Sequence, residues 1–100
     1  MIAKGCTIKN TFSIPYTKEE VKAMFITYSQ KGAVILEKEV SQCEFGDGVV
    51  SVALSQEDTL KFSDCTSVQI QIRVRLANGI ATKSKIIQTI TDNVLKDGVI

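Results

Sequence analysis

The chain has 100 residues, the length of one domain whose apolar core needs no metal ion or disulfide to hold it together. With 44% hydrophobic and 23% charged residues, its composition excludes disordered proteins, and no apolar stretch approaches the roughly eighteen residues of a membrane span. Twelve basic and eleven acidic residues nearly cancel, so the overall charge gives no reason to expect nucleic-acid binding.

Three widely spaced cysteines, Cys6, Cys43 and Cys65, form no CxxC motif, and the chain has no histidine. A zinc site needs about four nitrogen or sulfur ligands, so we expect no metal site and no cofactor. Cys6 and Cys43 lie in strand-like stretches, where a thiol usually packs as a small apolar side chain. Reduced, buried thiols are the favoured interpretation, and one disulfide plus a free thiol is the alternative. Residues 1–6 lack the layout of a signal peptide, so we expect a cytoplasmic protein.

The first predicted strand ends at Pro15, which cannot donate a hydrogen bond to a sheet. Asn10 falls on the face that otherwise points inward, which indicates a bulge or an edge position. Thr17 and Glu20 have the spacing of a capping box, so we expect one helical turn or a solvated connection. The apolar residues on the inward face are Cys6, Ile8, Phe12 and Ile14.

A first hairpin is predicted from the turn signal Ser29 to Gly32, in which the glycine supplies a positive φ angle. Phe25 and Ile35 would then form a second apolar spot on the outward face. The pairing that keeps apolar side chains together joins Tyr28 to Val34 and Ile26 to Leu36.

Two signals follow in the middle of the chain. Gly46-Asp47-Gly48 predicts a turn, after which an alternating stretch indicates another half-buried strand. Ser55 is an N-cap candidate, and Asp58 in the first turn suits the helix dipole. We therefore expect a short helical turn that returns Leu60 to the core, with Phe62 as a second candidate.

The strongest pattern is the alternation from Ser67 to Leu76, which is typical of a strand with one buried and one exposed face. Ala77-Asn78-Gly79 supplies a three-residue turn, and Ile80 to Ile90 carries the chain back. The adjacent Ile86 and Ile87 break the alternation and indicate a bulge or a two-sided strand. The register that keeps the apolar faces together pairs Leu76 with Ile80, Val74 with Thr82, Ile72 with Ser84 and Ile70 with Ile86.

About seven short strands at intervals of about eight to twelve residues predict an all-β fold. We expect an immunoglobulin-like antiparallel β-sandwich with one or two short helical turns; a small open barrel is the alternative. No internal repeat, low-complexity tract or linker divides the chain, which predicts a single domain over residues 1–100. Because a nucleophile needs a base beside it and the acids are scattered through turns and outward positions, we expect no enzyme and no catalytic residue.

A positively charged face is predicted on the final hairpin, since residues 66–91 contain four bases and no acid. Like charges across a strand pair repel, so Glu37 and Glu39 are expected as neutralising neighbours, in the same molecule or in a second copy. Either the face is merely solvated, or it docks an acidic protein patch or another subunit; we expect a weak homo-oligomer. No aromatic residue interleaves these bases, which argues against nucleic acid. The candidate partner-contact residues are Arg73, Arg75, Lys83 and Lys85, with Arg73 opposite Lys83 and Gln71 opposite Lys85.

Four short stretches carry a family resemblance that covers most of the chain: Phe25–Gln30, Leu54–Leu60, Val68–Val74 and Leu95–Ile100. They resemble small uncharacterised proteins encoded in phages and prophages of Gram-positive bacteria, and the layout is similar to the N-terminal β-sandwich of phage baseplate upper proteins. The resemblance implies a non-enzymatic structural or assembly role in a phage tail or baseplate, in the host cytoplasm or the virion, with itself or tail proteins as partners. Its motifs carry no known active site. The alternative function is a stand-alone binding module for a carbohydrate or a host protein.

Overall fold

The computed structural model describes residues 1–84 and 86–100, in which eight strands and one short α-helix form two antiparallel sheets. Two 3₁₀ turns, Lys18–Glu20 and Val40–Gln42, each lead into a strand. The elements are β1 (Ile8–Ser13), β2 (Val21–Gln30), β3 (Ala33–Glu39), β4 (Cys43–Gly46), β5 (Val49–Leu54), α1 (Gln56–Leu60), β6 (Ser67–Leu76), β7 (Ala81–Lys83) and β8 (Ile87–Ile90).

The order of the strands identifies the fold. The smaller sheet has the order β1-β5-β4, and the larger sheet has the order β3-β2-β6, with β7 and β8 both paired to the free side of β6. These orders correspond to the B-E-D sheet and the C′-C-F-G sheet of a variable-type immunoglobulin domain. In addition, Ile2 near the N-terminus forms a parallel bridge with Thr91, just after β8. The chain is therefore an immunoglobulin-like β-sandwich, which confirms the predicted fold class.

The alternating apolar residues meet between the two sheets. The rings of Tyr28 on β2 and Phe62 after α1 pack edge to face, with centroids 5.9 Å apart. Asn10 on the edge strand β1 points inward because its Nδ2 donates a 2.7 Å hydrogen bond to the Tyr28 hydroxyl. The buried core consists of Ile2, Ile14, Met24, Ile26, Tyr28, Leu36, Val50, Val52, Leu54, Phe62, Val68, Ile70, Ile72 and Val74.

Two buried polar side chains join loops to this core. Gln30, at the end of β2, accepts a 2.7 Å hydrogen bond from Ser63 N and donates one of 3.3 Å to Thr91 Oγ1. Thr59, on α1, accepts a 3.0 Å hydrogen bond from Gly5 N. Because buried polar groups are costly unless they are hydrogen-bonded, these contacts define where the surrounding loops must lie.

The predicted register of the final hairpin is confirmed close to the turn and shifts farther along. Arg73 lies opposite Lys83, and Gly79 has a φ of 92°, as the three-residue turn requires. The Ser84 Oγ then accepts a 3.0 Å hydrogen bond from Ile72 N, so a side chain takes a place in the backbone ladder. Beyond Ser84, Ile70 pairs with Ile87, and the prediction of Ile86 opposite Ile70 is wrong by one residue.

The predicted register of the first hairpin is wrong by two residues, since Tyr28 pairs with Leu36 and Ile26 with Lys38. The turn is shorter than expected: Lys31 and Gly32 form it alone, with φ angles of 51° and 78°, the geometry of a tight hairpin. A bulge between Tyr28 and Ser29 then accommodates the extra residue of β3. As a consequence, Ile35 packs against the core instead of joining Phe25 on the outward face.

Both predicted helical turns are present, but the residue that follows α1 into the core is Phe62, since Leu60 stays half-buried outside it. Around the first 3₁₀ turn, the Glu20 carboxylate accepts hydrogen bonds of 3.1 Å from the backbone N and the hydroxyl of Thr17. At α1, the Ser55 Oγ accepts from Asp58 N at 3.1 Å, and Asp58 Oδ2 accepts from Ser55 N at 3.0 Å. This reciprocal pair caps the helix, and it holds the Asp58 carboxylate in one place beside β3.

Candidate functional site

The candidate surface is the outer face of the larger sheet, defined here as the outward side chains of β3, β2, β6 and β7. Alternation places these side chains away from the core, because the inward positions of the same strands are buried. Arg73, Arg75 and Lys83 lie together on this face as predicted, whereas Lys85 lies outside the described residues. The outer face comprises Glu37, Glu39, Phe25, Thr27, Gln71, Arg73, Arg75 and Lys83.

Cross-strand pairing arranges the charges of the outer face at opposite edges. In one row, Glu39 lies opposite Phe25, Phe25 opposite Arg73, and Arg73 opposite Lys83. In the next row, Glu37 lies opposite Thr27 and is hydrogen-bonded to its hydroxyl at 3.4 Å. Neighbouring strands are about 4.8 Å apart, so roughly 10 Å separates the acidic strand β3 from the basic strand β6. The outer face thus has an acidic edge and a basic edge.

Among the residues that the structure describes, no charge on the outer face has an ion-pair partner. Arg73 and Lys83 are directly opposite each other, an arrangement that destabilises a strand pair when nothing neutralises it. The neutralising acids were predicted either in the same molecule or in a second copy. The structure argues against the same molecule, because β2 separates the bases from Glu37 and Glu39. Both sets of charges are exposed to solvent.

Phe25 is the aromatic residue at the centre of the outer face, with 39% of its surface exposed. A shallow depression of about 310 Å³ adjoins it, lined in part by Ala23, Arg73 and Ala81. The outward phase of Phe25 was predictable from the alternation of β2. Its position beside Arg73 was not, because that depends on which strand follows β2 in the sheet.

A second concave surface, the loop groove, lies at one end of the sandwich and was not predicted. It has a volume of about 890 Å³ and is lined by residues 14–19 and 43–48, which include Tyr16, Phe45 and Asp47. Both aromatic rings also pack against the core, so only part of each faces the groove. Its two walls are almost 30 residues apart in sequence, and only the pairing of β1, β5 and β4 brings them together.

A polar cluster between β3 and α1 joins Lys38 to Asp58. Lys38 Nζ lies 2.9 Å from Asp58 Oδ2, and their side chains are only 12% and 14% exposed. Burial acts to raise the pKa of Asp58, but hydrogen bonds from Ser55 and Lys38 outweigh it, so that pKa is lowered. Burial raises the pKa of the Cys43 thiol, although the nearby charge of Lys38 lowers it. Burial also raises the pKa of Tyr28 to about 12, although the hydrogen bond from Asn10 lowers it.

All three thiols are free. Cys43 is half-buried, and its Sγ donates to Glu39 O at 3.3 Å. Cys6 and Cys65 are exposed, so the expectation of buried thiols is wrong for both: β1 begins only at Ile8, and Cys65 lies in a turn with a φ of 50°. Within residues 1–84 and 86–100, no group of three or more acidic or cysteine side chains is arranged to hold a metal ion. No helix in the same residues has the length and apolarity needed to cross a membrane.

Comparison with known proteins yields one distant structural likeness. No protein-family model matches the chain, and no curated protein sequence does. Among solved structures, the chain is similar to the V domain of amphioxus IgVJ-C2, with 10% sequence identity and a TM-score of 0.36, over 91% of this chain and 97% of that one. A likeness at this level transfers no binding property to the chain.

Proposed function

We propose that the chain is a non-enzymatic structural or assembly protein that acts through protein–protein contacts of its outer face. The observation that carries this proposal is the set of exposed, unpaired charges around Phe25 on that face. Repulsion between Arg73 and Lys83 would be relieved by an acidic partner surface, and an exposed aromatic residue beside arginines is typical of the centre of an interface. The resemblance to phage and prophage proteins supports a phage tail or baseplate as the place of assembly.

The test is co-purification with phage tails. An affinity-tagged chain is produced in its host bacterium during phage assembly, tails are isolated on a density gradient, and the chain is quantified by mass spectrometry. We expect the chain in the tail fraction, and we expect Arg73→Glu/Lys83→Glu to remove it, because the reversed charges repel an acidic partner.

The matched control is Lys61→Glu/Lys96→Glu, which makes the same change in net charge at exposed positions outside both the outer face and the loop groove. This control should remain with the tails. If the unaltered chain is absent from the tail fraction, or if both double variants behave alike, the proposal fails.

A second candidate function, carbohydrate binding, is favoured by the loop groove. Sugars bind to aromatic rings flanked by carboxylates, and the groove offers Tyr16 and Phe45 beside Glu44 and Asp47. Screening on a glycan array tests this candidate, with Asp47→Asn as the variant that should lose any signal and Asp97→Asn, in the C-terminal segment, as its control. An array without signals would remove it.

A further inference from the structure

We infer that the outer face binds the outer face of a second copy of this chain, about a two-fold axis parallel to the strands. This inference rests on the proposed function and deepens it, since it names the partner and the orientation of the contact. It starts from the two sets of charges that the sheet keeps apart, Glu37 and Glu39 on β3 and Arg73, Arg75 and Lys83 on β6 and β7.

Neither the acids nor the bases of the outer face are neutralised within one chain. Among the described residues neither the acids nor the bases of this face have an ion-pair partner, and all are exposed. Glu39 lies in the same row as Arg73 and Lys83, whereas Glu37 lies in the row of Thr27 and Gln71 and Arg75 in the row of Ala23 and Ala81. In the row of Glu39 a second copy therefore presents the needed charges at the needed spacing, whereas any other acidic partner would have to match that spacing independently.

The row arrangement selects the orientation of the two copies. A two-fold axis parallel to the strands reverses the strand order, so β3 of one copy lies over β7 of the other and Glu39 faces Lys83. An axis perpendicular to the strands in the same plane keeps the strand order, and acids would then face acids. Only the first arrangement brings an acid over a base, Glu39 over Lys83, and symmetry makes this contact occur twice.

The centre of the same arrangement joins an aromatic ring to an arginine. β2 and β6 are the two middle strands, so the axis carries Phe25 of one copy over Arg73 of the other. An arginine within about 6 Å of a ring centroid forms a cation–π contact. Phe25, 39% exposed in the single chain, would be covered by this contact.

The size of the outer face indicates a weak, reversible dimer. Four strands about 4.8 Å apart and about seven residues long present on the order of 450 Å² per copy. The total of about 900 Å² lies below the roughly 1,200 Å² of stable specific interfaces, in the range of weak, transient contacts. We therefore expect association in the micromolar range and strong dependence on salt, since exposed charges orient the contact.

Charge exchange between two variants tests the inference. The full chain and its variants are examined by sedimentation velocity over a micromolar concentration series, with circular dichroism as the check on folding. The basic edge is reversed in Arg73→Glu/Lys83→Glu, and the acidic edge in Glu37→Lys/Glu39→Lys. In Arg73→Glu/Lys83→Glu two like charges again lie opposite each other, so the repulsion within the sheet does not increase.

We expect the unaltered chain to approach twice its 10.9 kDa monomer mass as concentration rises. Each variant alone should stay monomeric, and an equimolar mixture of the two should recover the dimer. The control Lys61→Glu/Lys96→Glu should behave as the unaltered chain. Phe25→Ala, which leaves every charge in place, should weaken association about tenfold.

Three results would overturn the inference: a monomer at every concentration, a dimer indifferent to both reversals, or a mixture that stays monomeric. The proposed function is judged separately. If the chain is monomeric but the reversal of the basic edge still removes it from phage tails, the occupant of the outer face is an acidic tail protein and the proposed function stands.

Discussion

At the scale of single residues, Lys38 and Asp58 form the most buried ion pair among the described residues. Their side chains are 12% and 14% exposed, whereas those of the Lys9 and Glu44 pair are 58% and 80% exposed. Removing one partner from a largely buried pair leaves an uncompensated charge, while an exposed pair is replaced by water at little cost. The two pairs therefore provide a comparison within one molecule.

Lys38→Met should lower the free energy of unfolding by about 1–2 kcal/mol, because it leaves Asp58 without its ammonium partner while keeping the apolar stem. The same substitution in the exposed pair, Lys9→Met, should change it by less than about 0.5 kcal/mol. Urea unfolding followed by circular dichroism measures both. Equal effects of the two substitutions would contradict this assignment.

The pH dependence of stability follows from the lowered pKa of Asp58. A carboxyl whose pKa is lower in the folded than in the unfolded chain stabilises the fold above the unfolded value, about 3.9, and loses this contribution as pH falls through the folded value. The advantage of the unaltered chain over Asp58→Asn should thus be constant at neutral pH and shrink below about pH 4. Urea unfolding at a series of pH values tests this, and an advantage that does not change with pH would refute it.

At the scale of elements, the buried amide of Gln30 connects β2 to two loops that lie far away in sequence. Its 2.7 Å bond from Ser63 N positions the turn before β6, and its bond to Thr91 holds the segment after β8. With 3% of the residue exposed, water cannot replace these partners without opening the loops. Gln30 therefore acts as a tie between the larger sheet and both loops.

Gln30→Ala should lower the free energy of unfolding by about 2 kcal/mol, because it leaves buried backbone and hydroxyl groups without partners. Gln88→Ala, on the exposed surface of β8, is the control and should stay within about 0.5 kcal/mol. Hydrogen exchange at Ser63 N should also become faster in Gln30→Ala alone. Unchanged exchange there would show that the amide does not hold the turn.

At this scale, the features that could be predicted from the sequence are those that depend only on residues close together in the chain. The alternation of β6, the turn at Gly79 and the cap at Ser55 are local, and each is confirmed. The register of the first hairpin was missed because apolar matching cannot reveal the bulge beside Tyr28. The ladder bond of Ser84 was missed because a side chain takes the place of a backbone group.

Some features of the outer face could likewise be predicted from the sequence, and others could not. Its bases were identified from a stretch without acids, and the pairing of Arg73 with Lys83 followed from the turn length. Its division into an acidic and a basic edge depends on β2 lying between β3 and β6, an order that pattern alone does not contain. The loop groove likewise depends on contacts between distant segments.

At the scale of the whole molecule, the N-terminal segment crosses the sandwich and joins the segment after β8. Ile2 N donates a 2.8 Å hydrogen bond to Ile90 O, and Asp92 N donates one of 3.2 Å to Ile2 O. The Ile2 side chain is 1% exposed within the core. Residues before β1 are therefore part of the folded structure and contribute to its core.

Ile2→Ala should lower the free energy of unfolding by about 2–4 kcal/mol, the usual range when a large core side chain is truncated. Ile100→Ala is the matched control, since that isoleucine is 90% exposed and its truncation should have an effect within about 0.5 kcal/mol. Thermal and urea unfolding measure both variants. A small effect of Ile2→Ala would mean that the sandwich closes without its N-terminal segment.

The inward direction of Lys38 also limits how copies of the chain can polymerise. β3 is the last strand of the larger sheet, so its outer side offers backbone groups to which a foreign strand could add. The inward side chains of a strand added there would have to pack beside the charged ammonium of Lys38. Natural sheets use inward-pointing charges on edge strands to block such addition. Strand addition at an edge has no natural end, whereas a two-fold contact between faces closes at two copies. The inward Lys38 on the edge strand β3 thus favours closed assemblies over open fibres.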